Sequence, residues 1–279
     1  MKKRISGILL LALALFSVYS IGHWLVENNK NIETVFYNFT SDRIPSSFDG
    51  FRIVHVSDLH NEEMGPANAD LLQKIQDADP DIIAVTGDLI DCRVPDEAIS
   101  LAFMEKALQL APVYYVTGNH EGALFDIYPS FEEELLQMGV VVLHNEAVTI
   151  ARGDDSITIL GVDDPNMDRT MEENLVSFLS GQNKNSYTVL LSHRPELFES
   201  YCEGNADLVL TGHAHGGQVR VPGIGGLYAP GQGLLPQYDA GLFSQDETNM
   251  IVSRGIGNSL FPMRVNNRPE LPVAILYSE

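Results

Sequence analysis

Cysteine and cationic side chains are both scarce in this sequence of 279 residues. The two cysteines, Cys92 and Cys202, lie in no CxxC or zinc-finger spacing, so they provide neither a disulfide framework nor a thiolate metal site. Lysine and arginine together number 17 against 38 aspartates and glutamates, which gives a formal net charge of −21. A field of this sign repels nucleic acid and anionic lipid, so we expect no nucleic-acid groove.

Internal repeats and low-complexity segments are also absent from the sequence. Hydrophobic residues make up 44% of the chain and charged residues 20%, which is typical of a globular protein and excludes a disordered or collagen-like chain. After the N-terminal region, the length fits one large β-containing domain of roughly 230 residues. We therefore predict a single catalytic-sized domain over residues 51–279.

One long segment near the N-terminus lacks charge. Three basic residues at positions 2–4 precede a mostly apolar run from Ile5 to Val26. At about 1.5 Å per residue, this run is long enough to cross a hydrocarbon core of about 30 Å. We predict that residues 1–26 form an uncleaved signal anchor. A signal peptide cleaved at Val18-Tyr19-Ser20 and a buried core helix are the alternatives.

The basic cluster also predicts how the chain is oriented. Basic residues beside a membrane span stay preferentially in the cytoplasm, so the rest of the chain should lie outside it, in a single-pass protein of the cell membrane. Residues 27–50 are rich in Asn, Ser, Thr and charge. We interpret them as a tether that contributes an edge strand, Glu33 to Asn38, ahead of the main domain.

Short apolar runs predict five buried strands, at Arg52 to Val56, Asp81 to Thr86, Val113 to Thr117, Tyr187 to Leu191 and Asp207 to Leu210. Helical patterns occur at Asn68 to Ala78, Pro95 to Leu110 and Pro195 to Tyr201. Further strands without intervening helices are predicted at Val140 to Leu143, Ile157 to Val162, Gln218 to Val221, Met250 to Ser253 and Pro272 to Tyr277. Alternating strands and helices are typical of an α/β sheet, and the later strands predict a second, more mixed sheet. The predicted fold class is α/β, with the two sheets in a layered sandwich.

Polar motifs begin where each of the five strands ends: Ser57-Asp58-Leu59-His60, Gly87-Asp88-Leu89-Ile90-Asp91, Gly118-Asn119-His120-Glu121, Ser192-His193-Arg194-Pro195 and Gly212-His213-Ala214-His215. Ligands of open α/β sheets bind beyond the carboxyl ends of the strands. Carboxylate, amide oxygen and imidazole suit a divalent ion of the Mn, Fe or Zn type. Each motif alone is typical of a tight turn, whereas the whole set in this order indicates a metal site.

These five motifs resemble the DxH, GDxxD, GNH[DE], isolated His and GHxH pattern of the calcineurin-like metallophosphoesterases. The resemblance covers Phe51 to the C-terminus, and no metal-ligand position departs from the pattern. Three further stretches, Gly216 to Gln218, Ser253 to Gly257 and Arg268 to Glu270, resemble the membrane- or envelope-associated phosphodiesterase branch typified by YkuE and YaeI. The resemblance implies a four-layer αββα sandwich, in which two mixed sheets are flanked by helices.

The resemblance also implies a ligand set for two divalent metal ions, with Mn favoured and Fe or Zn as alternatives. One ion would be held by Asp58, His60, Asp88 and His215, and the other by Asp88, Asn119, His193 and His213. Two cations about 3.5–4 Å apart need a shared anion between them, and Asp88 would be that bridge. A bridging water loses its proton near neutral pH, and the resulting hydroxide would attack phosphorus in line with the leaving oxygen.

Two further residues are candidates for catalysis. His120 follows the Asn119 ligand, and the resemblance implies that it faces the substrate and donates a proton to the leaving alkoxide or stabilises transition-state charge. Asp91 matches the family's carboxylate partner of that histidine, which orients the imidazole. Asp91 as a cap for the turn after the second strand is the alternative.

Arginine is the only cationic residue type after position 184. A guanidinium offers a planar fork to a phosphate, so Arg254 or Arg264 could clamp the substrate, with salt bridges to carboxylates as the alternative. Phe261, Pro262 and Met263 precede Arg264. They form either an apolar wall for a lipid-like leaving group or part of the core, and the core is the favoured interpretation.

The leading hypothesis is therefore a membrane-anchored dimetal hydrolase of phosphodiester or pyrophosphate bonds that acts outside the cytoplasm, on a lipid-linked or cell-envelope substrate. A phosphomonoesterase or protein phosphatase is the alternative among enzymes. A metal-binding pseudoenzyme that senses a ligand is the alternative outside them, and His120 argues against it because a binding module needs no proton donor.

Overall fold

The computed structural model describes residues 2–183, 185–259 and 261–279, with side chains from residue 10 onward. Met1, the first residue of the predicted anchor, lies outside this range. The helices are α1 (Lys2–Lys30), α2 (Ala69–Ala78), α3 (Glu97–Ala107), α4 (Asn119–Ala123), α5 (Tyr128–Met138), α6 (Met171–Ser180) and α7 (Phe198–Glu203). Short 3₁₀ turns occur at Ser46–Phe48, Pro66–Asn68, Pro195–Leu197 and His215–Gly217.

The strands of the described residues follow in chain order. They are β1 (Glu33–Ser41), β2 (Phe51–Val56), β3 (Ile82–Thr86), β4 (Val113–Val116), β5 (Val141–Val142), β6 (Glu146–Arg152), β7 (Asp155–Gly161), β8 (Thr188–Leu191), β9 (Leu208–Thr211), β10 (Arg220–Val221), β11 (Gly225–Gly226), β12 (Tyr228–Ala229), β13 (Gly233–Leu234), β14 (Gly241–Gln245), β15 (Thr248–Val252) and β16 (Glu270–Ser278). The five strands that precede the polar motifs are confirmed to within two residues at each end.

Two six-stranded mixed sheets organise the domain. The first has the order β1-β16-β2-β3-β4-β5 and the second the order β14-β15-β9-β8-β7-β6. Pairs joined by helices, such as β2 with β3 and β8 with β9, are parallel. The β16 strand runs antiparallel to β2, and the second sheet has an antiparallel pair at each edge. The prediction of two mixed sheets is confirmed. The assignment of all the later strands to the second sheet is wrong, because β5 and β16 lie in the first sheet and the motif strands β8 and β9 lie in the second.

The core has three layers because side chains alternate along each strand. Between the sheets, Ile53 and Ala84 of the first sheet belong to the same apolar cluster as Val189 and Leu210 of the second. The opposite face of the first sheet packs against α2, α3 and α5, and the opposite face of the second against α6 and α7. The predicted four-layer αββα sandwich is therefore confirmed.

Helix α1 is the only helix among the described residues long and apolar enough to cross a membrane, by length and composition. Its segment Leu10–Lys30 has a mean hydropathy of 1.5, and none of its most apolar window is buried against the rest of the protein. The helix extends through Lys30, so the predicted tether over 27–50 begins as helix and continues directly into β1.

The last turn of α1 is attached to the catalytic domain. Asn29 accepts a hydrogen bond from the Arg264 N–H at 2.8 Å and donates one to the Arg264 carbonyl at 3.3 Å. Asn28, which is buried, accepts a bond from the Asn267 N–H at 3.2 Å. The Lys30 ammonium forms an ion pair with Glu62. These contacts fix the direction in which the helix leaves the domain.

Candidate metal centre

The five motifs meet at one edge of the sandwich because they follow the carboxyl ends of β2, β3, β4, β8 and β9. Five of the seven predicted ligands have a left-handed backbone, with φ between 48° and 64°: Asp58, His60, Asp88, His213 and His215. Residues other than glycine adopt this backbone conformation rarely, and where they do it is often at functional sites. The turns therefore aim the side chains inward at a cost in backbone strain.

The first cluster contains Asp58, His60, Asp88 and His215, all of them buried. The two Nε2 atoms of His60 and His215 face each other at 3.1 Å. Nε2 of His215 lies 3.3 Å from Asp58 Oδ1, and Nε2 of His60 lies 3.5 Å from Asp88 Oδ2.

The second cluster contains Asp88, His193 and His213, with Asn119 beside them. Nε2 of His193 lies 3.3 Å from Asp88 Oδ2, 3.1 Å from Asn119 Oδ1 and 3.2 Å from His213 Nδ1. The same oxygen of Asp88 therefore faces both clusters. The structure brings all seven predicted ligands together in the two groups that the sequence resemblance implies.

The chemistry of these atoms fits two divalent cations. Burial lowers the pKa values of His60 and His215 to about 3, so both imidazoles are neutral. At least one of their two facing Nε2 atoms therefore carries a lone pair. At His193, burial lowers the pKa but the Asp88 carboxylate outweighs it and raises the value to about 10. Each cluster thus needs positive charge, and imidazole, carboxylate and amide donors without thiol suit a borderline or hard divalent ion.

Neighbouring groups orient several of the ligands. His193 Nδ1 donates to the Thr86 carbonyl at 2.7 Å, so Nε2 is the nitrogen directed at the cluster. Ser57 donates its hydroxyl to Asp58 Oδ2 at 2.6 Å, and the His213 N–H contacts the same carboxylate at 3.1 Å. Such contacts outside the ligand set fix tautomer and orientation at metal sites.

Glu121 is a supporting residue to which the sequence motif assigned no role. Its fully buried carboxylate accepts N–H groups of Asp88, Leu89 and Gly118 at 2.8 Å, so it joins the turn after β3 to the turn after β4. Burial and the nearby Asp88 carboxylate raise the pKa of Glu121 to about 7. The available signal was the acidic residue that ends the GNH[DE] motif, three positions after the Gly118 helix cap.

His120 lies at the edge of the two clusters, with its Nε2 atom 3.9 Å from Asp88 Oδ2. Its Nδ1 accepts a hydrogen bond from the Cys92 N–H at 3.0 Å. Asp91 Oδ1 is 3.6 Å from that nitrogen, beyond hydrogen-bond range, and the Asp91 carboxylate is held by the guanidinium of Arg93. Burial raises the pKa of Asp91, but the Arg93 hydrogen bonds outweigh it and the net shift is downward. The orienting role of Asp91 stays a prediction, and the contacts of Cys92 and Arg93 were not foreseen.

The two candidate clamps, Arg254 and Arg264, have protein acceptors in this structure. Arg254 pairs with Glu270 at 3.0 Å and Glu33 at 2.8 Å. Arg264 is fully buried and donates to the carbonyls of Arg254 and Gly257. Contact with substrate therefore stays a prediction for both residues. Phe261 and Met263 are exposed, so the interpretation of this stretch as core is wrong and an apolar surface remains.

Comparison with known proteins gives the following matches. Residues 51–217 match the family described as Metallophos, calcineurin-like phosphoesterase. The chain is 30% identical over 257 residues to the uncharacterized metallophosphoesterase YkuE of Bacillus subtilis, covering 88% of this chain and 86% of YkuE. It is 30% identical over 233 residues to the phosphodiesterase YaeI of Escherichia coli, covering 79% and 80% of the two chains.

Two further matches concern membrane association and fold. A Bos taurus transmembrane protein with a metallophosphoesterase domain is 29% identical over an alignment of 255 residues, which covers 84% of this chain but 54% of the bovine one. The Thermus thermophilus sulfate thiohydrolase SoxB superimposes with a TM-score of 0.51 at 12% identity, over 84% of this chain and 57% of SoxB. The SoxB match shows a shared fold alone.

Proposed function

The chain belongs to the calcineurin-like phosphoesterase family and is a metal-dependent phosphoester hydrolase, and from this premise we propose that it cleaves phosphodiester or pyrophosphate bonds at a dimetal centre. The observation that carries the proposal is one oxygen, Asp88 Oδ2, facing both ligand clusters. The name of the relative YaeI, a phosphodiesterase, favours a diester over a monoester.

Asp58, His60, Asp88 and His215 would hold one ion, and Asp88, Asn119, His193 and His213 the other. We propose Mn²⁺ as the native ion, with Fe or Zn as alternatives, because the donors are imidazole and oxygen. When bound, the pair would supply positive charge to the phosphoryl oxygens and lower the pKa of a water shared between them.

The chain itself would supply the proton for the leaving group. Nε2 of His120 is the atom that faces the clusters, while Nδ1 contacts the Cys92 N–H. From the imidazolium form, the proton on Nε2 would pass to the oxygen that departs from phosphorus, and the imidazole left behind is neutral. Arg93, through its pair with Asp91, would hold the wall of the site next to this imidazole.

We also propose the predicted domain organisation and location: a membrane anchor at 1–26, a connecting segment at 27–50 and a catalytic domain at 51–279, with the catalytic domain outside the cytoplasm. The apolar helix α1, the attachment of its last turn and the transmembrane relative support a membrane-bound enzyme. Three basic residues at positions 2–4 support the outward orientation.

The test compares bis(nitrophenyl) phosphate with nitrophenyl phosphate as substrates of the full chain loaded with Mn²⁺, Fe²⁺ or Zn²⁺. We expect the diester to have the higher kcat/KM and the activity to disappear with a chelator. The variant Asp79→Asn, which changes an exposed carboxylate outside the motifs, should keep the wild-type activity and is the control for substitution of a ligand carboxylate such as Asp88. Preference for the monoester would replace this proposal with a phosphomonoesterase, and inactivity with every ion on both esters would refute it.

A further inference from the structure

An apolar cavity of about 260 Å³ opens beside the metal centre. His215, a member of the first ligand cluster, forms part of its wall. Gln218, Leu227, Tyr228, Pro230 and Phe261 are among the other residues of the wall. The chain has 38 acidic residues, but no described residue of this wall carries a formal charge. A molecule bound at the ligand clusters therefore has an uncharged, apolar space next to it.

Phe261 in the cavity wall, and residues that neighbour the wall in sequence or by strand pairing, expose more apolar surface to solvent. Leu234 is 79% exposed and Leu235 63%, while Phe261 and Met263 are 45% and 40% exposed. Leu234 is the cross-strand partner of Tyr228 in the pairing of β12 with β13, so it adjoins the cavity wall. Exposed apolar side chains next to an apolar cavity are typical of sites that contact a membrane, a ligand or a partner.

The cavity is attached to the end of helix α1. Gln218, on one wall, donates its side-chain N–H to the carbonyl of Phe261, on the other, at 2.6 Å. Three residues after Phe261, Arg264 exchanges two backbone hydrogen bonds with the Asn29 side chain in the last turn of α1. Asn267, in the same segment, donates to the His215 carbonyl at 2.7 Å. The end of helix α1 therefore contacts the segment that lines the cavity, and the cavity in turn borders the first ligand cluster.

We propose that this cavity binds the hydrocarbon chain of a membrane lipid phosphoester whose phosphate lies at the ligand clusters. The inference rests on the proposed function and names its substrate class. Polar groups such as sugars or bases would lose their hydrogen bonds with water in this wall, whereas methylene groups gain free energy there. The position of the cavity at the base of an apolar helix provides the source of such chains, because lipids surround a helix that spans a membrane.

Hydrolysis of such a substrate consumes one water. The hydroxyl group joins phosphorus, the bond from phosphorus to the leaving oxygen breaks, and that oxygen takes the proton. No oxidant or further reactant is required. The hydrocarbon chain serves only to place the phosphate, so its binding free energy should appear as an increase in kcat/KM.

The test uses nitrophenyl alkyl phosphates with alkyl chains of two to eight carbons, below their aggregation limit. The full chain, loaded with Mn²⁺, is held in an amphipathic polymer so that no detergent monomer competes for the cavity. Complete burial of one methylene corresponds to about fourfold in affinity, so we expect kcat/KM to rise at least about tenfold from ethyl to octyl.

The variant Phe261→Glu should bring the octyl-to-ethyl ratio towards one, because it places a carboxylate in the wall. The matched control is Phe36→Glu, the same change at an exposed phenylalanine on β1, and it should keep the wild-type ratio. Hydrolysis of all the esters with no dependence on chain length in the wild type would overturn the inference and leave the proposed function standing. Absence of hydrolysis with every ester and ion would instead reject the proposed function.

Discussion

Asp88 is the residue on which the proposed dimetal centre most depends, because one of its oxygens faces both clusters. We expect Asp88→Asn to abolish hydrolysis and to reduce bound metal below one equivalent, since both ions lose a negative ligand. Metal content after dialysis and initial rates provide the measurement. Normal metal content with near-normal turnover would show that Asp88 is not the bridge.

His120 should respond in the opposite way. We expect His120→Ala to keep both ions and to lose about 10²- to 10⁴-fold in kcat on alkyl esters, the usual contribution of a positioned acid. The loss should be smaller when nitrophenolate leaves, because that anion departs without a proton. Parallel metal analysis and rates on both leaving groups test this. An equal loss on both would assign His120 to transition-state charge, and a lost ion would make it a ligand.

His144 provides a pH-dependent prediction away from the centre. Its hydrogen bond to Asp163, together with Glu132, raises the pKa of the imidazole to about 9. A raised pKa stabilises the folded state fully below the unfolded value near 6.5, and this contribution disappears as the pH rises through about 9. We expect His144→Gln to lower Tm at pH 6 and to have little effect at pH 10. Equal shifts in Tm at both pH values would contradict the ion pair.

At the scale of elements, the end of α1 is attached to the segment that supports His215. We expect Asn29→Ala to remove two hydrogen bonds to Arg264 and to destabilise the protein by about 1–3 kcal/mol. Thermal unfolding of the full chain is the measurement. Asn31→Ala is the control, because the exposed Asn31 side chain donates to Glu27 in the last turn of α1 and, among the described residues, has no side-chain bond to Arg264. Equal destabilisation by the two changes would mean that the Arg264 contacts contribute nothing specific.

The elements that sequence predicted well are those with a local signal. Each of the five motif strands is a short apolar run, and a predicted ligand follows within three residues of its end. The features that escaped prediction depend on distant partners. The buried carboxylate of Glu121 accepts from N–H groups in the turn after β3. The buried Arg264 bonds to Asn29 and to the Gly257 carbonyl. The Gly118 contact of Glu121 had a local signal, whereas the bonds to Asp88 and Asn29 join residues far apart in sequence.

For the whole molecule, the central prediction concerns topology. With positions 2–4 in the cytoplasm, protease added to spheroplasts should digest the catalytic domain, while the N-terminal segment stays in the membrane fraction. Immunoblots against tags at the two ends provide the measurement, and permeabilised cells are the control. Full protection in spheroplasts with digestion after permeabilisation would reverse the orientation. A mature N-terminus after Ser20 would replace the anchor with a cleaved signal peptide.

The position of β16 has a consequence for the order of events during synthesis. This strand lies between β1 and β2 and pairs with both, so Glu33 is joined to Glu270 in the finished sheet. A ribosome releases β16 long after β1 and β2. Until then, two strands wait with unpaired edges, which are the parts of a chain most prone to aggregate. Closure of the first sheet is a late event, and a transcript cut short before codon 270 yields a chain that cannot complete it.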